Sequence, residues 1–128
     1  MSQIKKLQYL DVSLVYLFGS YAEEKGHPLS DIDIAVVFSY KKRLKKDVGK
    51  IYNELYFLFS DIFMKKNIDI IFLQKASLEL RFDVIRHGKI IYRSSEDERL
   101  IFEDQVAMLY MDFKPILNEF NEAILSRI

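Results

Sequence analysis

Three short apolar runs, at residues 14–18, 31–38 and 68–73, set the frame of any fold that this chain can adopt. They consist largely of β-branched, leucine and aromatic residues, which are typical of buried strands, and glycine, serine, asparagine or glutamine bounds them. Each run is far shorter than the roughly 20 apolar residues that a membrane-spanning helix needs. The runs therefore predict three buried strands of a soluble sheet.

Helical patterns lie between these strands. Apolar residues recur at helical spacing over residues 43–59, which predicts a helix packed on the sheet. A second helix is predicted over residues 77–86, with Ser77 as its cap. After the first strand, Ser20 can cap a short helix over residues 21–25, which ends in turn residues.

The C-terminal part of the chain continues this alternation. Residues 89–92 predict a short fourth strand, and from Glu96 the pattern is helical to the end. Pro115 is expected to kink or divide this last helix, because proline removes a helical hydrogen bond and clashes with the preceding turn. Alternating strands and helices place the fold in the α/β or α+β class.

Length and composition exclude several classes of protein. The chain has 128 residues, half of them hydrophobic, which is enough for one domain with a real core. It has no cysteine, which excludes a disulfide scaffold, a thiol nucleophile and cysteine-based metal sites. Its two histidines, His27 and His87, are too few for a histidine-rich metal site. The formal net charge of zero argues against stable nucleic-acid binding by bulk electrostatics.

The N-terminus indicates the compartment and the domain organisation. It becomes polar again at Asp11, too soon for a signal peptide, so a cytoplasmic protein without membrane attachment is expected. We expect a single domain over residues 1–128. Its catalytic core would span about 1–93, and residues 94–128 would form a helical extension.

Carboxylates on the predicted strands are the main functional signal. Asp31 and Asp33 are two positions apart in a strand, so both side chains leave the same face, and Asp69 lies near the start of another strand. If these strands are neighbours, three carboxylates converge and need a compensating cation. Hard oxygen ligands suit Mg²⁺ or Mn²⁺. An acid at a strand end can also be an ordinary turn or cap residue, but the three together favour a site.

Gly19 and Ser20 end the first strand and open the predicted short helix. Glycine allows a ligand to approach the backbone closely, and free N–H groups at a helix start suit phosphate. The Ser20 hydroxyl adds a donor. A glycine–serine pair is also common in strand-to-helix turns. Only together with the nearby carboxylates does this pair indicate a phosphate-binding site.

Together these residues carry a family resemblance. The pattern resembles the signature of the polymerase-β-like nucleotidyltransferase superfamily: Gly19-Ser20, then ten residues, then Asp31-x-Asp33. The sequence segments around these residues resemble the minimal nucleotidyltransferase (MNT) branch of that superfamily. The resemblance implies a small mixed sheet flanked by helices, with C-terminal helices. Many MNT proteins are antitoxins paired with a HEPN-domain ribonuclease toxin. The resemblance thus implies transfer of AMP from ATP to a tyrosine hydroxyl of such a toxin.

The resemblance also implies roles for individual residues. Asp31 and Asp33 would bind the nucleotide-associated metal, Mg²⁺ or Mn²⁺, and Asp69 would complete a second metal site and activate the attacking hydroxyl. Gly19 and Ser20 would hold the β- and γ-phosphates of ATP. All three carboxylates would therefore be both catalytic residues and metal ligands.

The phosphate loop departs from the family at one point. Relatives often carry a basic residue and a glycine soon after the alanine of this loop, whereas Glu23 and Glu24 intervene here and Lys25 follows. Lys25 is the candidate for the missing positive charge at the phosphates. The acids also leave open a binding-only antitoxin with a decayed active site.

Other acceptors and docking surfaces remain open at this stage. A small-molecule nucleotidyltransferase, such as one acting on aminoglycosides, is the second enzyme hypothesis, although such enzymes usually need an added substrate-binding domain. A bare catalytic core needs an external partner to present its acceptor. The aromatic-rich C-terminal helices and the basic stretch at residues 41–50 are the two candidate surfaces for that partner.

Overall fold

The computed structural model of the chain describes residues 2–19, 31–39, 47–64 and 67–126. The short helix predicted over residues 21–25 lies outside these residues. The elements in chain order are α1 (Gln3–Tyr9), β1 (Val12–Phe18), β2 (Ile32–Phe38), α2 (Val48–Phe63), β3 (Ile68–Phe72), a single 3₁₀ turn (Leu73–Lys75), α3 (Leu78–His87), β4 (Lys89–Arg93) and α4 (Glu96–Leu125).

The four strands form one mixed sheet in the order β3-β2-β1-β4. β1 pairs antiparallel with both β2 and β4, whereas β2 and β3 run parallel. Parallel neighbours need a crossover between them, and α2 provides it. The expected small mixed sheet flanked by helices, of the α+β class, is confirmed.

Side chains on the two faces of the sheet enter two separate cores, because successive strand residues point to opposite faces. One core packs β1, β2 and β3 against α1 and α2; we call it the α2-side core, and its fully buried members include Ile34, Leu55 and Phe59. The other packs Tyr16 and Val37 against α3 and the first turns of α4; we call it the α4-side core. The sheet is therefore covered on both faces.

A chain of polar contacts joins α4 to the central strand of the sheet. The Tyr16 hydroxyl donates a hydrogen bond to Glu103 Oε2 at 3.2 Å, and Arg99 Nε lies 3.1 Å from the same oxygen. Arg99 also pairs with Glu96 at 3.5 Å, and Glu96 with Arg93 of β4 at 3.1 Å. These contacts fix the first two turns of α4 over β1 and β4.

Several element boundaries differ from the sequence-based predictions. α2 begins at Val48 and ends at Phe63, not over residues 43–59, because Asp47 has a left-handed backbone (φ 46°) that a helix cannot continue through; residues 43–46 lie outside the described part. β2 begins at Ile32, one residue after Asp31. The Ser77 cap is confirmed: its side chain accepts a hydrogen bond from Leu80 N.

Of the two outcomes predicted at Pro115, a kink or a division of the last helix, the division is wrong. α4 is one helix of 30 residues with Pro115 inside it. The side chains at residues 111–116 are all exposed, so water can reach the Met111 carbonyl that loses its helical partner. The helix therefore tolerates the proline without ending there.

The first helix was missing from the sequence-based prediction altogether. α1 is only seven residues long, so its apolar periodicity is too short to recognise. Ser2 was its one sequence signal, since its side chain caps the helix by accepting from Lys5 N at 3.2 Å. Among the described residues, no helix is both long enough and apolar enough to cross a bilayer.

Candidate active site

The parallel pairing of β2 and β3 sets Asp33 directly opposite Asp69. The register runs from Ile32 opposite Ile68, through the two acids, to Ile34 opposite Ile70. Paired residues on adjacent strands point to the same face, so both carboxylates leave the sheet on the α4 side. The sequence-based condition that the two strands be neighbours is thus met.

Asp33 occupies a half-buried position between two strands. On its other side it pairs with Phe18, the last residue of β1. Burial raises the pKa of the Asp33 carboxyl, and the nearby charges of Asp69 and Asp31 raise this pKa further. Three acids therefore interact electrostatically at one end of the sheet.

Asp31 lies just outside the strand and is exposed. The next residue, Ile32, donates its backbone N–H to Asn67 O at 2.9 Å, which ties the start of β2 to the residue before β3. This bond holds the Asp31 backbone at the same end of the sheet as Asp33 and Asp69. Asp69 is likewise exposed.

Gly19 follows β1 and lies against the Asp33 carboxylate. Its backbone has a φ of 74°, which glycine adopts readily and other residues rarely do. A Cβ built on Gly19 would collide with Asp33 Oδ2. Only glycine fits here without moving the carboxylate, so the end of β1 and the acid of β2 are matched in shape.

Asp31, Asp33 and Asp69 are chemically suited to bind a divalent cation, but their carboxylates are not gathered into a complete coordination site. Within the described residues, no three histidine, aspartate or glutamate side chains are gathered tightly enough to hold a metal ion. Nor do the described lysine, arginine and histidine side chains pair with Asp31, Asp33 or Asp69. Carboxylates of like charge, without a cationic partner in the described part of the chain, fit Mg²⁺ or Mn²⁺. The exposed Asp31 and Asp69 side chains can turn toward such a cation without disturbing the core.

Two of the sequence-predicted site residues cannot be placed on this geometry. Ser20 and Lys25, the candidate phosphate ligands beside Gly19, lie outside the described residues. The described part of the site therefore consists of Gly19, Asp31, Asp33 and Asp69.

Sequence reasoning missed the polar residues that support this end of the protein. Tyr16, two residues before the end of β1, is held by Glu103 and Arg99 of α4. The spacing of Arg99 and Glu103 by four positions is a familiar signal for a helical ion pair. It could not reveal the third partner, because Tyr16 comes from a strand 87 positions away.

A comparison with protein families gives one match. The family model described as "Polymerase beta, Nucleotidyltransferase" matches residues 3–97. This range includes all four described site residues and excludes most of α4. No curated protein matches the chain.

Solved structures with the same fold include several toxin–antitoxin complexes. A toxin–antitoxin structure with AMP-PNP has a TM-score of 0.73 at 25% identity, covering 98% of this chain and 99% of that one. A tri-AMPylated HEPN toxin in complex with its MNT antitoxin, from Shewanella oneidensis, has a TM-score of 0.66 at 24% identity, with 95% and 92% covered. An MntA–HepT toxin–antitoxin structure has a TM-score of 0.66 at 23% identity, with the same coverage. The shared fold thus extends through α4.

Proposed function

We propose a function that starts from one fact: the chain belongs to the polymerase β nucleotidyltransferase family. Within that family we propose that it is an adenylyltransferase acting as an antitoxin. It would move AMP from ATP to a tyrosine hydroxyl of a HEPN-domain toxin and so neutralise the toxin. Family membership supports a nucleotidyltransferase; ATP as the donor and a toxin tyrosine as the acceptor are the further parts of this proposal.

One observation carries the proposal: Asp33 lies opposite Asp69 with Gly19 packed against its carboxylate. A fold under no functional demand would not keep two acids in register on neighbouring strands, where they repel each other. Such a fold would also have no reason to keep, beside Asp33, a left-handed backbone at Gly19 that few residues other than glycine adopt. The arrangement is understandable if a cation and a phosphate complete it.

The reaction is an in-line displacement at phosphorus. The tyrosine oxygen forms a bond to the α-phosphorus of ATP, the bond between this phosphorus and the bridging oxygen to the β-phosphate breaks, and pyrophosphate leaves. The hydroxyl proton passes to a carboxylate oxygen, for which Asp69 is the exposed candidate. Asp31, Asp33 and Asp69 would hold Mg²⁺ or Mn²⁺, which when bound neutralises charge on the reacting phosphates.

The phosphate end of ATP would be held by the segment that starts at Gly19. The backbone of Gly19 would approach a phosphate oxygen closely, as glycine-containing phosphate loops do. Ser20 would donate its hydroxyl, and Lys25 would supply a positive charge beyond Glu23 and Glu24. ATP as the donor is supported by the AMP-PNP in the similar toxin–antitoxin structure.

The partner is proposed from the similar complexes. An AMPylated HEPN toxin is present in one of them beside an MNT antitoxin. We propose a single catalytic domain of about residues 1–93 with a helical extension over 94–128, working in the cytoplasm. The family match ending at residue 97 supports that division.

Co-expression with the HEPN-domain partner, followed by intact-mass measurement of that partner, tests the proposal. We expect mass increments of AMP on the partner that require ATP and a divalent cation. Asp33→Asn should abolish the increments while the complex still forms. Asp104→Asn, the same chemical change at an exposed position of α4, is the matched control and should leave them intact.

The same experiment separates the rival functions. Protection of cells by Asp33→Asn with no added mass on the partner would establish a binding-only antitoxin. A partner that never gains AMP, together with ATP-dependent modification of an aminoglycoside, would establish the small-molecule enzyme instead.

A further inference from the structure

A continuous apolar stripe follows α4 along almost its whole length. Its members recur alternately four and three positions apart, the spacing of helices that pack side by side. We call this set the α4 stripe; it comprises Phe102, Val106, Leu109, Phe113, Ile116, Phe120 and Ala123.

The first part of the α4 stripe is covered by this protein, and the second part is not. Phe102 packs into the α4-side core, and Val106 is only 2% exposed. Exposure then rises along the helix, to 46% at Phe113, 58% at Ile116 and 63% at Phe120. The stripe therefore continues along the helix with the same spacing while its side chains become increasingly exposed.

The spacing indicates what kind of surface would cover the exposed part. Alternating steps of four and three keep a seam on one side of a helix only when a second helix lies alongside it. From Leu109 to Ala123 this seam is about 21 Å long, at about 1.5 Å per residue. An amphipathic helix of about four turns would cover it.

The two edges of the exposed stripe differ in charge, which argues against a second copy of this chain. One edge carries Asp112 and Glu119, and the other is apolar, with Leu117 and Ile124. Antiparallel pairing of two copies would set the acidic edges against each other, and parallel pairing would set acids against apolar side chains. The complementary occupant has lysine or arginine along the edge that faces the acids.

A cavity at the exposed end of α3 offers a place for an anchoring side chain of this occupant. It has a volume of about 390 Å³ and is lined by Ser77, Leu78, Glu79, Arg81, Phe113 and Leu117. Phe113 belongs to the stripe, so the cavity and the stripe are continuous.

We propose that the exposed half of the α4 stripe binds one amphipathic helix of the partner protein, oriented with basic side chains against Asp112 and Glu119. This inference rests on the proposed function for the identity of the partner, a HEPN-domain toxin. It assigns docking to a surface of α4, whereas the reacting groups lie at one end of the sheet. Docking and chemistry can therefore be lost separately.

The test measures the affinity of the full chain for the HEPN-domain partner by titration calorimetry. The double variant Phe113→Ser, Phe120→Ser should weaken binding about 100-fold, because central apolar side chains contribute most to such interfaces. The double variant Met108→Ser, Met111→Ser is the matched control. These two methionines are 68% and 62% exposed but lie off the stripe, so affinity should not change.

A second pair of variants tests the charged edge without removing apolar surface. Asp112→Lys with Glu119→Lys should weaken binding at least about tenfold and reduce its dependence on salt, because the introduced lysines then repel the basic edge of the partner. Asp104→Lys with Glu122→Lys makes the same change in net charge on exposed positions away from the stripe. This control should keep wild-type affinity.

The outcomes distinguish this inference from the proposed function. Equal binding by the stripe variant and its control would overturn the docking site, even if AMP is still transferred to the partner. Stripe-dependent binding without any AMP on the partner would uphold the docking site and reject the transfer reaction. A wild-type chain that dimerises in sedimentation experiments, and becomes monomeric in the stripe variant, would assign the stripe to a second copy and overturn the proposal.

Discussion

Gly19 lies against the carboxylate of Asp33, so closely that a methyl group on its Cα would collide with Asp33 Oδ2. The two residues come from different strands, and Phe18 beside Gly19 is the register partner of Asp33. The position of the acid therefore depends on the absence of a side chain at the end of β1.

Gly19→Ala is expected to reduce nucleotidyl transfer at least about tenfold, because displacing a reacting group by even 1 Å has large effects on rate. Alanine at a φ of 74° is also strained, at a cost of about 1–2 kcal/mol in the free energy of unfolding. The rate of AMP transfer and urea unfolding measure the two effects.

Gly49→Ala is the matched control, since nothing lies within 4 Å of a Cβ at Gly49 in α2. It should stabilise the fold by up to about 1 kcal/mol through helix propensity and leave transfer unchanged. Wild-type transfer in Gly19→Ala would show that the contact with Asp33 has no catalytic meaning.

Asp33→Asn is expected to raise the free energy of unfolding at pH 7 when divalent cations and nucleotide are absent. Burial and the charges of Asp69 and Asp31 raise the pKa of Asp33 in the folded protein, so its ionised form opposes folding. The stability that Asp33 contributes is fully present below its unfolded-state pKa, near pH 4, and is lost as the pH rises through the folded-state pKa.

The gain from Asp33→Asn should therefore shrink on acidification and vanish below about pH 4. Urea unfolding between pH 3 and pH 8 measures it, at roughly constant ionic strength. Asp104→Asn should show no comparable pH-dependent gain. An Asp33→Asn protein less stable than wild type at every pH would refute the assigned repulsion.

Tyr16→Phe is expected to lower the free energy of unfolding by about 1–2 kcal/mol at neutral pH, because it removes a hydrogen bond to a carboxylate. Glu103 keeps its pairing with Arg99, so no charge is left without a partner. Tyr110→Phe, which removes the hydroxyl of a partly exposed tyrosine in α4, should cost less.

The difference between wild type and Tyr16→Phe should also depend on pH. Burial raises the pKa of Tyr16 well above its ordinary value, and Glu103 raises it further. A raised folded-state pKa means that the stability from Tyr16 is complete below about pH 10 and is lost above it. Thermal unfolding from pH 8 to pH 11 should show the two proteins converging, and a constant difference would contradict this.

Pro115→Ala is expected to stabilise α4 locally by up to about 3 kcal/mol, because residue 115 could then donate to the Met111 carbonyl. Hydrogen exchange should show stronger protection over residues 111–119. Lys114→Ala, which restores no hydrogen bond, is the control. Unchanged protection in Pro115→Ala would mean that the proline does not limit the stability of this part of the helix.

The sequence indicated the acids of the candidate site but not how they come together. Alternation along a strand is enough to place Asp31 and Asp33 on one face. Asp69 lies opposite Asp33 because β3 is parallel to β2 and adjacent to it. No local sequence pattern predicts this order of strands. The fit of Gly19 against Asp33 likewise needs the pairing of β1 with β2.

The long last helix was predictable from its pattern, whereas the short first helix was not. The helix from Glu96 has many turns of clear periodicity, whereas α1 has too few. The division expected at Pro115 follows from local rules that treat proline as a helix breaker. In an exposed helix, water can instead hydrogen-bond to the carbonyl that the proline leaves without a partner. The hydrogen bond between Tyr16 and Glu103 joins residues that are 87 positions apart, so no local spacing in the sequence predicts it.

The crossover through α2 has a consequence for how this protein assembles during synthesis. Asp33 and Asp69 become neighbours only after β3 has been made and has closed against β2, with α2 folded between them. Closing such a connection is slower than forming a hairpin, because chain entropy opposes non-local pairing. A nascent chain that stops before β3 contains two of the three acids and no complete site. The nucleotidyl transfer that we propose would thus become available only to chains that have passed this step.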